Sequence, residues 1–156
     1  MLKALYKRTQ DDKGFTLIEL MVVVLIIAIL IAIAIPTFLG MRKRAQDRAA
    51  QSNLRNAITA AKAFYTDADS YTGFNVTAAE AAEPSLFWQT GALTAPPPIN
   101  QVQIDSETTA QVAHFIARSN SGTFFCVRDS GGTTTFGTGA AAADVADASG
   151  CNDDSW

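Results

Sequence analysis

A long apolar run near the N-terminus constrains this chain more than any other feature. Phe15–Ile35 is 21 residues long, and only Thr16 and Glu19 within it are not apolar. As a helix the run would be about 31 Å long at roughly 1.5 Å per residue, which is enough to cross a membrane. It is longer than the core of a secretory signal, and no small-residue cleavage site closes it, so we expect it to remain in the mature protein.

The charges before this run predict its orientation. Four basic residues against two acidic ones give residues 1–14 a net charge of +2. Because positive flanks favour the cytoplasmic side, we expect a single-pass precursor in the cytoplasmic membrane with the bulk of the chain outside. The length that remains is sufficient for one modest folded domain.

The residues at the start of the run match a known signal. KGFTLIEL at Lys13–Leu20, followed by the apolar run and Pro36, resembles the class III prepilin signal of type IV pilins and the related pseudopilins. The resemblance implies that residues 1–14 are a leader, which a prepilin peptidase removes by cleavage between Gly14 and Phe15. It also implies methylation of the new amino group of Phe15 and polymerisation on a pilus assembly platform.

Two further positions carry family roles. Glu19 is fifth in the mature chain, where the family has its assembly glutamate, and a carboxylate in an apolar helix requires a partner. We expect it to neutralise the Phe15 ammonium of a neighbouring subunit; an acid tolerated at the membrane interface is the alternative. Pro36, at the end of the assembly helix 15–36, should kink or locally melt the helix, and an ordinary helix end is the alternative.

Beyond the proline the pattern becomes amphipathic and then strand-like. Residues 37–66 are predicted to continue the helix and to pack on a sheet through a stripe formed by Leu54, Ile58, Ala61 and Tyr65. Residues 67–100 resemble the αβ-loop of pilins and contain a helical candidate at Ala78–Glu83. Strands are predicted at Gln101–Asp105, Ala110–Arg118, Thr123–Asp129 and Thr133–Phe136. The predicted fold class is α+β and type IV pilin-like: a long N-terminal α-helix, its first half transmembrane, packed on a C-terminal antiparallel β-sheet head.

Charge is distributed unevenly along the exported part. Residues 37–62 carry six basic residues and one acid, a net charge of +5, whereas residues 63–156 carry eleven acids and two bases, a net charge of −9. This asymmetry fits pairing between the basic part of one subunit and the acidic part of its neighbour. It equally fits two surfaces that are each solvated and do not pair.

The two cysteines, Cys126 and Cys151, both lie in the exported part. We therefore expect a disulfide that closes the C-terminal region 101–156 through a loop of about 25 residues, which is worth roughly 3–4 kcal/mol. His114 is expected to be a packed or surface strand residue, too distant from the cysteines for a zinc site. The acidic tail lacks a calcium-loop pattern, so we predict no metal and no cofactor.

The residues show no catalytic arrangement, and we predict a structural subunit rather than an enzyme. The expected product is a homo-oligomeric extracellular filament of the kind that serves adhesion, twitching motility or DNA uptake. Two alternatives stay open: a pseudopilin of a type II secretion or competence apparatus, and a membrane-anchored binding module that never polymerises.

The charge-to-apolar step at Gly14 and Phe15 gives a first test. Replacement of Gly14 by leucine places a bulky side chain where the peptidase must approach the backbone. We expect uncleaved precursor in the membrane and no filaments, measured by N-terminal mass spectrometry. A mature Gly14→Leu chain that begins at Phe15 would contradict the proposed cleavage.

Overall fold

The computed structural model describes residues 14–93, 98, 100–106 and 108–156. The predicted leader lies outside these residues except for Gly14, and so do Pro96 and Pro97 of the predicted αβ-loop. The chain divides into two units, residues 1–41 and residues 42–156. We call residues 14–41 the apolar unit and residues 42–156 the globular unit.

The first helix, α1, runs over Leu17–Ala68 and is 52 residues long. Pro36 lies inside α1, with helical residues on both sides. Proline removes one backbone donor, and the hydroxyl of Thr37 donates a hydrogen bond of 3.2 Å to the nearby carbonyl of Ile33. The expectations of local melting and of an ordinary helix end are therefore wrong, while a kink stays a prediction.

The apolar unit exposes its side chains. Every large apolar side chain from Phe15 to Met41 is at least 49% exposed, and Phe15 is 86% exposed. Among the described residues, α1 is the one helix that is long and apolar enough to cross a membrane. A surface of this size in water is unfavourable, so the apolar unit requires lipid or other helices around it.

The globular unit contains one five-stranded sheet. Its strands are β1 (Phe87–Gln89), β2 (Gln101–Ile104), β3 (Val112–Arg118), β4 (Phe124–Ser130) and β5 (Thr133–Gly139), in the spatial order β1-β2-β3-β4-β5. Strands β2 to β5 pair antiparallel, whereas β1 pairs with β2 in parallel. The predicted α+β, type IV pilin-like fold class is confirmed, and the sheet differs from expectation in this parallel edge.

The predicted αβ-loop contains two short elements. Helix α2 (Val76–Ala82) begins after Asn75, whose side-chain oxygen accepts a 3.1 Å hydrogen bond from the amide of Ala78. Strand β1 was not predicted, because three residues are too few to show a strand's alternation.

The helix covers one face of the sheet. Leu54 and Ala61 of α1 are fully buried, and they share one core cluster with Phe115 of β3 and Val127 of β4. Tyr65 packs partly buried at the edge of the same cluster. The predicted apolar stripe of α1 is therefore the face that packs on the sheet.

The hairpin of β3 and β4 divides its residues between the two faces. Phe115 pairs with Val127 on the helix side, and Ile116 pairs with Cys126 on the opposite side. The turn between them contains Gly122 at φ +98°, a left-handed conformation that favours glycine. This register places both β3 and β4 between two buried layers.

Part of the C-terminal tail, residues 140–156, covers the second face. Val145 and Cys151 form a second core cluster with Ile116 and Cys126. The tail then reaches the helix side of the sheet, where Trp156 packs against the first core cluster and its indole N–H donates a 2.9 Å hydrogen bond to the carbonyl of Cys126. The part of the tail that contains Val145 and Cys151 thus covers the far side of the sheet.

Substitution of Gly137 in β5 tests how tightly the tail packs against the sheet. A Cβ atom there would collide with the carbonyl oxygen of Gly150 and with Sγ of Cys126, whereas a Cβ at Gly91 would meet nothing within 4 Å. Gly137→Ala should lower the free energy of unfolding by about 1–3 kcal/mol, and Gly91→Ala should leave it near the wild-type value. The measurement is denaturant unfolding of the full chain in detergent, followed by fluorescence of Trp88 and Trp156. Equal stability of the two variants would contradict the tight tail contact.

Candidate functional site

Glu19 helps to cap the N-terminal end of α1. Its carboxylate accepts hydrogen bonds from the amide of Thr16 at 2.8 Å and from the hydroxyl of Thr16 at 2.7 Å. The Thr16 hydroxyl in turn accepts from the amide of Glu19 at 3.3 Å. This reciprocal pattern is a capping box, which satisfies backbone donors at a helix start.

The capping box gives Glu19 a role within its own subunit. The sequence carries the corresponding signal, because a threonine followed three residues later by a glutamate marks a helix start, and our sequence reasoning missed it. The expected pairing of Glu19 with a neighbour's amino group remains a prediction. A test of that pairing must therefore separate the charge of Glu19 from its capping hydrogen bonds.

The predicted cleavage site precedes this helix. Gly14, Phe15 and Thr16 are exposed and non-helical, and a Cβ at Gly14 would meet nothing within 4 Å. An exposed, non-helical backbone is the conformation that a peptidase requires. Cleavage between Gly14 and Phe15 stays a prediction.

A buried carboxylate joins four parts of the globular unit. Asp129 of β4 is 3% exposed, and its Oδ1 lies 2.7 Å from Nζ of Lys62 on α1. The same carboxylate accepts hydrogen bonds from the Tyr71 hydroxyl at 2.7 Å and from the Thr134 hydroxyl at 3.0 Å. Lys62 also donates to the Thr134 hydroxyl at 2.6 Å. We call these four residues the Asp129 cluster.

The Asp129 cluster shifts the pKa values of two of its members, Asp129 and Tyr71, in opposite directions. Burial by itself raises the pKa of Asp129, but hydrogen bonds from Lys62, Tyr71 and Thr134 outweigh it and lower that pKa below its ordinary value. Burial and the neighbouring Asp129 carboxylate raise the pKa of Tyr71. Three of the cluster's side chains line an open cavity of about 480 Å³. Since these polar groups bind one another, the cluster fastens the helix to the sheet.

The acids of the tail shape its backbone. Oδ2 of Asp144 accepts hydrogen bonds from the amides of Ala140 and Ala141 at 2.9 and 2.8 Å. Oδ1 of Asp147 accepts from the amides of Ser149 and Gly150, both at 2.9 Å. Hydrogen bonding, first from the Ser149 hydroxyl, lowers the pKa of Asp147. Turn formation therefore accounts for these two acids.

The structure contains a disulfide between Cys126 of β4 and Cys151 of the tail, across a sequence separation of 25. His114 is fully buried on the same side of the sheet, and its ligand atom and the two sulfurs all lie within 4.8 Å of one another. The expectation that His114 is distant from the cysteines is wrong. The β3–β4 hairpin brings them together, because His114 is two residues from Ile116, the partner of Cys126.

Comparison with known proteins identifies the N-terminal segment. Residues 10–35 match the family model described as the prokaryotic N-terminal methylation motif. The chain thus falls in the class of proteins that carry this motif ahead of a membrane-length helix.

Three relatives narrow the class. The chain is 49% identical over 63 residues to the type IV major pilin protein PilA of Myxococcus xanthus, covering 40% of this chain and 29% of the relative. It is 48% identical over 63 residues to the type IV wide pilus major component PilA4 of Thermus thermophilus, covering 40% and 48%. It is 45% identical over 53 residues to the narrow pilus major component PilA5 of Thermus thermophilus, covering 34% and 42%. The chain thus spans less than half the length of each of these relatives.

The Asp129 cluster predicts acid sensitivity. Because the folded pKa of Asp129 is lowered, its contribution to stability is present above its unfolded pKa, near 3.9, and is lost as the pH falls through the lower folded value. Asp129→Asn should lower the free energy of unfolding by about 2 kcal/mol at pH 7 and flatten its pH dependence below about pH 4. Asp154→Asn, at an exposed site, is the control. Parallel pH profiles for wild type and Asp129→Asn, measured by tryptophan fluorescence, would contradict the assignment.

Proposed function

We propose that the chain is a structural subunit of a type IV pilus-like filament and polymerises through the apolar unit. The observation that carries the proposal is a contrast between the two units. Large apolar side chains from Phe15 to Met41 are exposed, whereas the globular unit buries its own core. A soluble domain does not require such an exposed helix, and this contrast supports a role in a membrane and in an assembly.

Two environments, lipid and neighbouring helices, can cover the exposed apolar side chains of the apolar unit. Before assembly, lipid covers the apolar side chains of the membrane-anchored precursor. In a filament, the apolar units of other subunits replace the lipid, and small residues such as Ala28, Ala32 and Gly40 permit close approach between helices. The same helix therefore serves first as an anchor and later as the filament's core.

Processing prepares the chain for this exchange. The match over residues 10–35 supports cleavage between Gly14 and Phe15 by a prepilin peptidase and methylation of the Phe15 amino group. The new terminus lies directly before the capping box of Thr16 and Glu19. The proposal thus brings a positive charge and a carboxylate to the same end of the helix, where subunits meet.

Glu19 then acts between subunits. In the filament its carboxylate pairs with the Phe15 ammonium of a neighbour, which supplies attraction and a fixed axial register. A carboxylate without this partner, surrounded by apolar helices, costs several kcal/mol. Filament formation should therefore depend on the charge of Glu19 more strongly than the isolated membrane helix does.

Two substitutions separate charge from capping. Glu19→Gln removes the charge, while a glutamine at this position still accepts the capping hydrogen bonds. Thr16→Ala keeps the charge but removes the capping hydroxyl, at a cost of about 1 kcal/mol to the helix start. We expect Glu19→Gln to lose most filaments while its processed subunit accumulates in the membrane. Thr16→Ala should retain filaments, and Glu19→Asp should be intermediate because its reach is shorter.

The measurement is the ratio of sheared filament to processed membrane subunit at matched expression. A normal ratio for Glu19→Gln would show that helix packing without this charge drives assembly. A low ratio for Thr16→Ala, with Glu19→Gln normal, would assign Glu19 to capping instead. A wild-type chain that is processed but never enters filaments would contradict the filament role and favour an anchored, non-polymerising module.

A further inference from the structure

The buried cluster of His114, Cys126 and Cys151 contains three side chains that bind metals. Their ligand atoms lie within 4.8 Å of one another, and the side chains are at most 1% exposed. They come from three segments, because His114 is on β3, Cys126 on β4 and Cys151 on the tail. In the disulfide form the two sulfurs bind each other, so any metal site must belong to the dithiol form.

The carboxylate of Asp105 lies beside the imidazole of His114. Oδ1 of Asp105 lies 3.4 Å from Nδ1 of His114. The backbone of His114 is also held, since its amide donates to the Thr108 hydroxyl at 3.1 Å and its carbonyl accepts from the Asp105 amide at 3.0 Å. A carboxylate that orients an imidazole on a fixed backbone is the usual support of a metal-binding histidine.

We propose that the dithiol form of the globular unit binds one zinc(II) ion through Cys126, Cys151 and His114, with Asp105 as a positioning residue. Tetrahedral zinc binds sulfur at about 2.3 Å and imidazole nitrogen at about 2.0 Å, which places its donors roughly 3.5 Å apart. In the disulfide form the three donor atoms lie within 4.8 Å of one another, which is near the spacing that zinc requires. Two thiolates and one imidazole favour zinc over harder cations such as calcium.

The chemical balance links zinc to disulfide formation. On binding, the two thiols release two protons and become thiolate ligands. An oxidant of the disulfide class then accepts two electrons, the bond between Cys126 and Cys151 forms, and the oxidant takes up two protons to become two thiols. Zinc leaves because its sulfur ligands are consumed. Until then the ion holds the tail against β4, and this role does not depend on the proposed filament function.

The test uses the full chain in detergent, reduced with a phosphine, and cobalt(II) as the spectroscopic substitute for zinc. We expect one cobalt per chain, with a thiolate-to-cobalt charge-transfer band that zinc abolishes by displacement. The air-oxidised chain should show no such band. Cys126→Ser, Cys151→Ser and His114→Gln should each weaken zinc binding by about 100-fold or more, because each loses a direct ligand.

Two variants test the arrangement around the ligands. Asp105→Asn should weaken zinc binding by about 10-fold or more while the charge-transfer band of its cobalt complex persists. Asp154→Asn, an exposed acid in the same tail, should bind zinc as the wild type does. Unfolding of the oxidised His114→Gln and Asp105→Asn variants, followed by tryptophan fluorescence, checks that they fold.

Three results would overturn the proposal. They are a reduced wild type without the charge-transfer band, an oxidised wild type that binds zinc as tightly as the reduced one, and a folded His114→Gln variant with wild-type affinity. If His114→Gln does not fold, the comparison of reduced and oxidised wild type decides, because it requires no substitution.

Discussion

Packing of α1 on the sheet is the interaction on which the globular unit depends. Leu54, Ile58 and Ala61 bury one helix face against the side of β3 and β4 that carries Phe115 and Val127. The Asp129 cluster adds a polar attachment, because its carboxylate binds Lys62 of the helix and Thr134 of β5 together. Within residues 17–41 the large apolar side chains of the same helix are exposed. One continuous helix thus carries a stripe for its own domain and a surface that requires another environment.

The sheet imposes a second requirement, because its central strands have two apolar faces. Helix α1 buries one face, and the tail buries the face that carries Ile116 and Cys126. The disulfide joins the tail to β4, while Trp156 at the end of the tail packs against Phe136 on the helix side, with their ring centroids 4.5 Å apart. Loss of the tail would expose apolar side chains in the middle of the sheet, and tail attachment is therefore a condition of a complete core.

The sequence predicts the fold where the signals are local. The apolar run, the stripe of α1 and the strands with turns at Gly122 and at Gly131–Gly132 can all be read from periodicity and turn residues. Strand β1 could not be predicted, since its place is set by parallel pairing with β2 rather than by its own three residues. The Asp129 cluster was also out of reach, because it joins residues far apart in the sequence that share no motif.

The candidate sites also differ in whether a local sequence signal predicts them. The capping box of Thr16 and Glu19 has a local signal and was available from the sequence. The proximity of His114 to the cysteines was also within reach, because a hairpin that turns at Gly122 places His114 and Cys126 on neighbouring strands with the same facing. The position of Cys151 could not be predicted in this way, because it depends on the path of the tail. Roles that depend on other molecules, such as those proposed for Gly14 and Phe15, have no signature in the fold of one chain.

The proposed role of the apolar unit in building a filament can be tested on the cell surface. The most direct measurement is electron microscopy of filaments sheared from the cell surface, combined with mass spectrometry of their main subunit. We expect filaments composed of this chain, beginning at a methylated Phe15. Filaments composed of another protein, with this chain found processed but confined to the membrane, would contradict it.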